Sequence, residues 1–266
     1  MEPRHIEWLE SSDEINLSNG NKIKVYNFNY DLSDDIMNDW ANYFRNHYCL
    51  DEEIDFFRDG TGLSREKYLL EMKFPDASNS FGPATRSGDF AEILVADYLE
   101  YILNHYVPRT RYDRKTVRNE SIKGCDVLGF IINNPGEARE DDCISIFEVK
   151  AKFSGRNKEN RLQDAVNDSI KDPLRVTESL NAIKQRLFDR RDIEGCNKIS
   201  RFQNKVDSPY QLNLGAVAII NEDLFDKNIY LSTDTSNHQS IINLIVINGV
   251  NMMELVHELY RRASKC

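Results

Sequence analysis

The 266-residue chain reads as an α/β protein, bordering on α+β, with one central mixed sheet flanked by helices. Three observations predict this class. Apolar runs of strand length recur at KGCDVLGFII, ISIFEVKAKF, LNLGAVAII and SIINLIVIN. Segments with helical spacing of apolar residues lie between and beyond them. The composition, 40% hydrophobic and 29% charged, is that of a globular protein able to bury a substantial core.

Taken in order, residues 21–30 (NKIKVYNFNY) alternate like a strand after an Asn19-Gly20 turn, and Ser33 is placed to cap a helix through roughly Tyr48. Ser64 offers a second cap for LSREKYLLEMKF. Residues 75–87 (PDASNSFGPATRS) lack periodicity and read as a loop, so a boundary is expected there. It divides an acidic α/β appendage, 1–75, from a main domain, 76–266. Ser87 then caps a long helix that buries Phe90, Ile93, Leu94 and Leu99. Extended segments follow near 109–118, 125–132 and 144–153; turn residues Asn133 to Gly136 join the last two as an antiparallel hairpin with a tip of about eleven residues. Helices are expected over about 160–171, 174–190 and 192–204, then two buried strands, then a helix capped by Asn251 and running through about Ala263.

Net charge of −10 argues at first against a polyanion partner. Its distribution reverses that. Residues 1–60 carry 5 basic and 14 acidic side chains, whereas 148–205 carry 14 basic and 9 acidic. Arg109, Arg111, Arg114, Lys115, Arg118 and Lys123 add a basic run that either rims a groove or is a solvated face. The acidic N-terminus MEPRHIEWLESSDE lacks a signal-peptide core, and no apolar run approaches the roughly 20 residues a membrane helix needs, so a cytoplasmic protein is expected. Five cysteines without a CxxC pair indicate neither a disulfide framework nor structural zinc. His257-Glu258 lacks the second histidine of HExxH, and no GxxxxGK[ST] phosphate loop is present.

Three carboxylate-x-Lys triplets occur: Glu71/Lys73, Asp113/Lys115 and Glu148/Lys150. The first falls in a predicted helix, where positions i and i+2 diverge, and the second in a hydrophilic stretch. Only Glu148 and Lys150 lie mid-strand, opposite an apolar face of Phe147, Val149, Ala151 and Phe153. If the 125–132 strand pairs with 144–153, Asp126 approaches Glu148. Facing carboxylates repel unless a proton or cation sits between them, and an incomplete set of hard oxygen donors suits Mg²⁺ or Mn²⁺. Glu92, on the first turns of the long helix, either supplies a third carboxylate or is helix-end electrostatics.

Gly88-x-x-x-Glu92, Asp126 and Glu148-x-Lys150 together resemble the PD-(D/E)xK nuclease superfamily, although Cys125 stands where the pattern has proline. SGDFAEILVADYLEY, KGCDVLGF, IFEVKAKFSG and LQDAVNDSIKDPLRVTESL look more specifically like the HamA nuclease family of the Hachiman antiphage system, over about residues 20–263. That resemblance implies a restriction-endonuclease-like core and a Mg²⁺-dependent DNA nuclease that works with a helicase subunit, HamB; little sequence specificity is expected because phosphate contacts read no bases. It implies Asp126, Glu148 and Glu92 as metal ligands, Lys150 as the catalytic lysine and Gln163 as a supporting residue. Lys152 and Lys123 are expected to hold neighbouring phosphates. Two other readings stand beside it: a silent subunit that keeps the fold to grip DNA or a partner, and a Glu148–Lys150 ion pair on a solvated face worth under about 1 kcal/mol. The acidic N-terminal segment is expected to dock on the helicase or shield the groove.

Overall fold

The computed structural model describes residues 2–79, 81–238 and 240–266; Ser80, within the predicted 75–87 loop, lies outside the described residues. Seven strands, β1 (Leu9–Ser11), β2 (Ile15–Asn16), β3 (Lys22–Phe28), β4 (Val127–Ile131), β5 (Cys143–Lys152), β6 (Gln211–Asn221) and β7 (Ile242–Gly249), form one mixed sheet. Its order is β1-β3-β7-β6-β5-β4, with β2 also on β3. The central pairs β3/β7, β7/β6 and β6/β5 are parallel, while β4 and β1 run antiparallel at the two edges. Parallel strands need crossovers, and the chain supplies α5 (Arg161–Ser169), α6 (Asp172–Asp189) and α7 (Ile193–Ser200) between β5 and β6. The predicted central mixed sheet flanked by helices is therefore present.

Helices cover both faces, so the strands are apolar on both sides. On one face α1 (Asp34–Tyr48), α4 (Gly82–Asp97) and α9 (Met252–Ala263) bury Trp40, Phe44, Phe90 and Leu255 against Phe147, Val149 and Ile219. On the other, α5 to α7 bury Leu162, Val166 and Ile199 against Ile144, Ile146, Ala216 and Val246. Gly215 on β6 lets the Phe147 ring lie against its backbone, where a Cβ would collide with the ring. Among the described residues no helix is long and apolar enough to cross a membrane.

Three expectations need correction. Residues 109–118 form turns and bends rather than a strand; the sheet-like contact in this region is a single bridge between Tyr106 and Phe130. Arg118 holds the segment instead, donating to the Leu70 and Phe74 carbonyls at 2.7 and 3.0 Å. Ser87 does not cap its helix: α4 begins at Gly82 with proline in its first turn, and the Ser87 hydroxyl donates back to the Pro83 carbonyl at 2.9 Å. Residues 1–75, expected as an appendage, share the sheet and the core, since β3 pairs with β7 and Trp40 packs on Phe90. The remaining elements fall near their predicted places. Ser33 and Asn251 precede α1 and α9 without a side-chain cap bond, whereas Ser64 Oγ accepts from the Lys67 amide in the short α3 (Arg65–Tyr68).

Candidate active site

The hairpin of β4 and β5 pairs Val127 with Phe147, and its connection spans residues 132–142, close to the predicted tip. β4 begins at Val127, so beyond Phe147 the amides of β5 on that side lose their ladder partner. Asp126 takes over: its Oδ2 accepts the Val149 amide at 3.0 Å. This single bond fixes Asp126 beside the Glu148 to Lys150 turn of the pleat. Gly124, at φ +108°, makes the preceding bend, a conformation that side-chain-bearing residues rarely adopt. Ser179 Oγ of α6 then accepts the Cys125 amide at 3.1 Å and pins the entry to the strand.

Period two places Glu148 and Lys150 on the same face as Ile144 and Ile146, and α5 and α6 cover that face. Glu148 is therefore buried, only 5% exposed, which removes the solvated-face reading of the Glu148–Lys150 pair. Lys150 Nζ sits between two carboxylates, 2.7 Å from Glu148 Oε1 and 2.8 Å from Asp168 Oδ2 on α5. Burial alone would lower the Lys150 pKa, but Asp168 and Glu148 more than offset it and hold the ammonium charged. Burial raises the Glu148 pKa, and the nearby Asp126 adds repulsion against partial relief from Lys150. Asp168 is held below its ordinary value by Lys150 and Lys171. The second Glu148 oxygen, Oε2, is buried and has no hydrogen-bond partner. A buried carboxylate oxygen left bare is costly unless a proton or cation meets it.

Glu92 of α4 stands on the far side of Asp126, and Arg111 binds the two together. Its Nε lies 2.6 Å from Glu92 Oε2 and its Nη2 3.2 Å from Asp126 Oδ1. Tyr112 donates to the same Glu92 oxygen at 2.6 Å. Burial, with added repulsion from Asp126 and Asp89, still pushes the Glu92 carboxyl up to about 8. Among the described residues no three His, Cys, Asp or Glu side chains converge as a ready metal cluster. The donors that do fit a hard cation are Asp126 and Glu148, whose buried Oε2 still lacks a partner. Mg²⁺ is commonly held by one or two carboxylates, with water and phosphate oxygens completing its shell.

The structure brings Asp126, Glu148 and Lys150 together, and ties Glu92 to them through Arg111. Lys123 lies on the rim of the cleft that contains Asp126, Glu148, Lys150 and Asp168. Lys152, on the Lys150 face, pairs with Glu159 at 2.8 Å. Gln163 turns elsewhere: its amide donates to the Asp234 carbonyl at 3.0 Å and accepts the Asp234 amide at 2.7 Å, so it clamps a distant loop. The triplet Asp113/Lys115 separates, with Asp113 held by Arg190 at 2.9 Å and Lys115 by Asp89 at 2.7 Å.

Two carboxylates escaped the sequence reading. Asp168 is one, through its bond to Lys150. Asp172 is the other: it opens α6, is fully buried, and neither of its oxygens has a partner. Burial first, then repulsion from Glu148 and Asp126, push its pKa up to about 7. Both lie in NDSIKDP, where the chain passes from α5 to α6, and that junction is what brings them near the β5 end.

A search of curated proteins returned no match. The family model described as HamA matches residues 3–263, nearly the whole chain and all of the site just described. The chain therefore belongs to the HamA family, a component of the Hachiman antiphage defence system.

Proposed function

We propose that the protein is a metal-dependent DNA nuclease effector of its defence complex, hydrolysing phosphodiesters with little sequence specificity under the control of a HamB-like helicase subunit. The observation that carries this is the buried Glu148 with one oxygen on Lys150 and the other bare, beside an Asp126 anchored by the β5 backbone. Asp126 and Glu148 would hold Mg²⁺ or Mn²⁺, and Glu92 would join them if Arg111 swings away. A bound divalent ion supplies an acidified water and neutralises charge on the phosphoryl group.

Lys150 acts as a fixed positive charge rather than as a base, because its two carboxylate partners keep it protonated at neutral pH. Held between Glu148 and Asp168, its ammonium can donate to a non-bridging phosphate oxygen in the cleft without reorganising. Lys123 and Lys152 would position the strand through neighbouring phosphates, contacts that carry no base information. The second reading is a silent DNA- or partner-binding subunit. It is favoured by one observation: the Arg111 guanidinium already occupies the space between Glu92 and Asp126, paired with both.

Incubating the complex with linear and plasmid DNA, with Mg²⁺ or with chelator, separates the two. Cleavage that needs the metal and disappears in Glu148→Ala and Lys150→Ala, with folding intact, supports the nuclease. DNA retained but never cut by the parent supports the silent subunit.

A further inference from the structure

A cavity of about 80 Å³ adjoins the cleft on the far side of Asp126, between α4, the 107–112 segment, the start of β4 and α6. Asp126 and Lys123 line both spaces, so the cavity and the cleft lie side by side. Its walls carry four cationic side chains, Arg109, Arg111, Lys123 and Arg186, against two carboxylates, Glu92 and Asp126. Both carboxylates are taken by Arg111.

Of the other three cations, Arg186 and Lys123 are in excess, and Arg109 keeps one nitrogen free. Arg109 spends Nε on Glu100 at 2.8 Å and Nη2 on Glu100 and Asp97 at 2.6 and 2.8 Å, which leaves Nη1 buried with no acceptor among the described residues. The Arg186 side chain is half-buried and makes no hydrogen bond or ion pair among the described residues. The acid nearest in influence, Asp113, is already held by Arg190. Burial lowers the Arg186 pKa, and the Arg111 and Arg190 charges press the same way against partial relief from Asp113. Lys123, exposed at the mouth, has no partner among the described residues either. A buried guanidinium nitrogen without an acceptor is costly, and a space lined by the unpaired Arg186, the free Nη1 of Arg109 and the Lys123 ammonium offers donors that phosphate oxygens satisfy.

We infer that this cavity is a phosphate subsite, and that its occupant is the terminal phosphate monoester of a nucleic-acid strand lying in the Asp126–Glu148 cleft. The inference rests on the nuclease reading for the strand but not for the anion. A monoester suits the cavity better than an internal phosphodiester: it carries more charge, and it needs no exit for a continuing chain. The space holds one phosphate-sized anion, or a few waters, and no nucleoside.

The test uses full-length chain carrying Glu148→Gln, so that cleavage does not confuse binding. Fluorescence anisotropy compares a short single strand bearing a 5′-phosphate, a 3′-phosphate or hydroxyl ends, with inorganic phosphate as competitor. One of the phosphorylated strands is expected to bind on the order of tenfold tighter than the hydroxyl-ended strand, the value of one charge-assisted bond. That advantage disappears in Arg186→Gln and in Lys123→Gln, and Arg186→Gln, which lies outside the cleft, leaves the affinity for the hydroxyl-ended strand near that of the parent. Melting followed by circular dichroism checks that the variants fold; if Arg186→Gln does not, Lys123→Gln carries the comparison alone. Inorganic phosphate that raises the melting temperature of the parent but not of Arg186→Gln, with no end preference, keeps the subsite and makes the free anion its occupant. Equal affinity for all ends and no effect of phosphate overturns the proposal. Because binding is read without cleavage, a protein that never cuts DNA can still pass, and one that cuts without end preference fails this inference alone.

Discussion

Asp172 offers the sharpest quantitative test of the electrostatics around the site. It is fully buried, both oxygens lack partners, and its pKa rises from 3.8 to about 7 through burial and the charges of Glu148 and Asp126. The folded protein therefore binds its proton more tightly than the unfolded chain does. Its contribution is complete below pH 3.8 and is lost as the pH rises through about 7. At 1.36 kcal/mol per pKa unit, a rise of about three units corresponds to a loss of up to ~4 kcal/mol between those limits. The Asp172→Asn variant removes that linkage. Its amide carries its own burial cost, which does not depend on pH, so the useful quantity is a difference between pH values. Urea unfolding in chelator at pH 5 and pH 8 should show the variant gaining roughly 2–3 kcal/mol on the parent over that interval. A stability difference that is the same at both pH values would refute the picture of Asp172 repelled by two neighbouring carboxylates.

Other perturbations separate the roles assigned to individual residues. Arg111→Met should cost about 3 kcal/mol in unfolding measurements, because it strands Glu92 and Asp126 in a buried setting with no cation; a neutral effect would contradict the bridging geometry. Gln163→Ala should leave DNA cleavage within about twofold of the parent and lower stability by about 1 kcal/mol through the loop at Asp234, whereas a cleavage loss of 100-fold would return Gln163 to the site. Gly215→Ala should destabilise by about 1–3 kcal/mol through collision with the Phe147 ring, measured by thermal melting; an unchanged melting temperature would sink that packing account. Charge reversal at the exposed Asp35 and Asp39 should weaken co-purification with the helicase subunit if the acidic N-terminal surface docks there, and undiminished co-purification counts against it. Deleting residues 1–60 cannot serve that purpose, because it removes β3 and Trp40 from the shared sheet and core.

The parts of the site legible in the sequence are those governed by short-range rules. Strand alternation put Glu148 and Lys150 on one side of β5, and the turn residues after Ile131 set a hairpin that carries Asp126 to the same end. What escaped depends on contacts distant in the chain. β1 and β2 pair with β3 locally, but β3 joins the main sheet through β7, over 200 residues away, so nothing local distinguishes an appendage from a member of that sheet. Residues 109–118 read as extended because their arginines break any apolar period; those same side chains hold the segment by bonding backbone carbonyls, as Arg111 does at Ile122 and Cys125. Asp172 precedes a proline at the start of a helix, where an acidic residue ordinarily means helix-end electrostatics. Its burial against Glu148 became visible only with the fold.

Cleavage of linear DNA by the assembled complex tests the central claim most directly, comparing the parent with Glu148→Gln and Lys150→Met in Mg²⁺ and in chelator. The account predicts metal-dependent cutting by the parent and a loss of at least about 100-fold in each variant, with melting temperatures and helicase association preserved. Cutting that survives in either variant, or that ignores chelator, would contradict it.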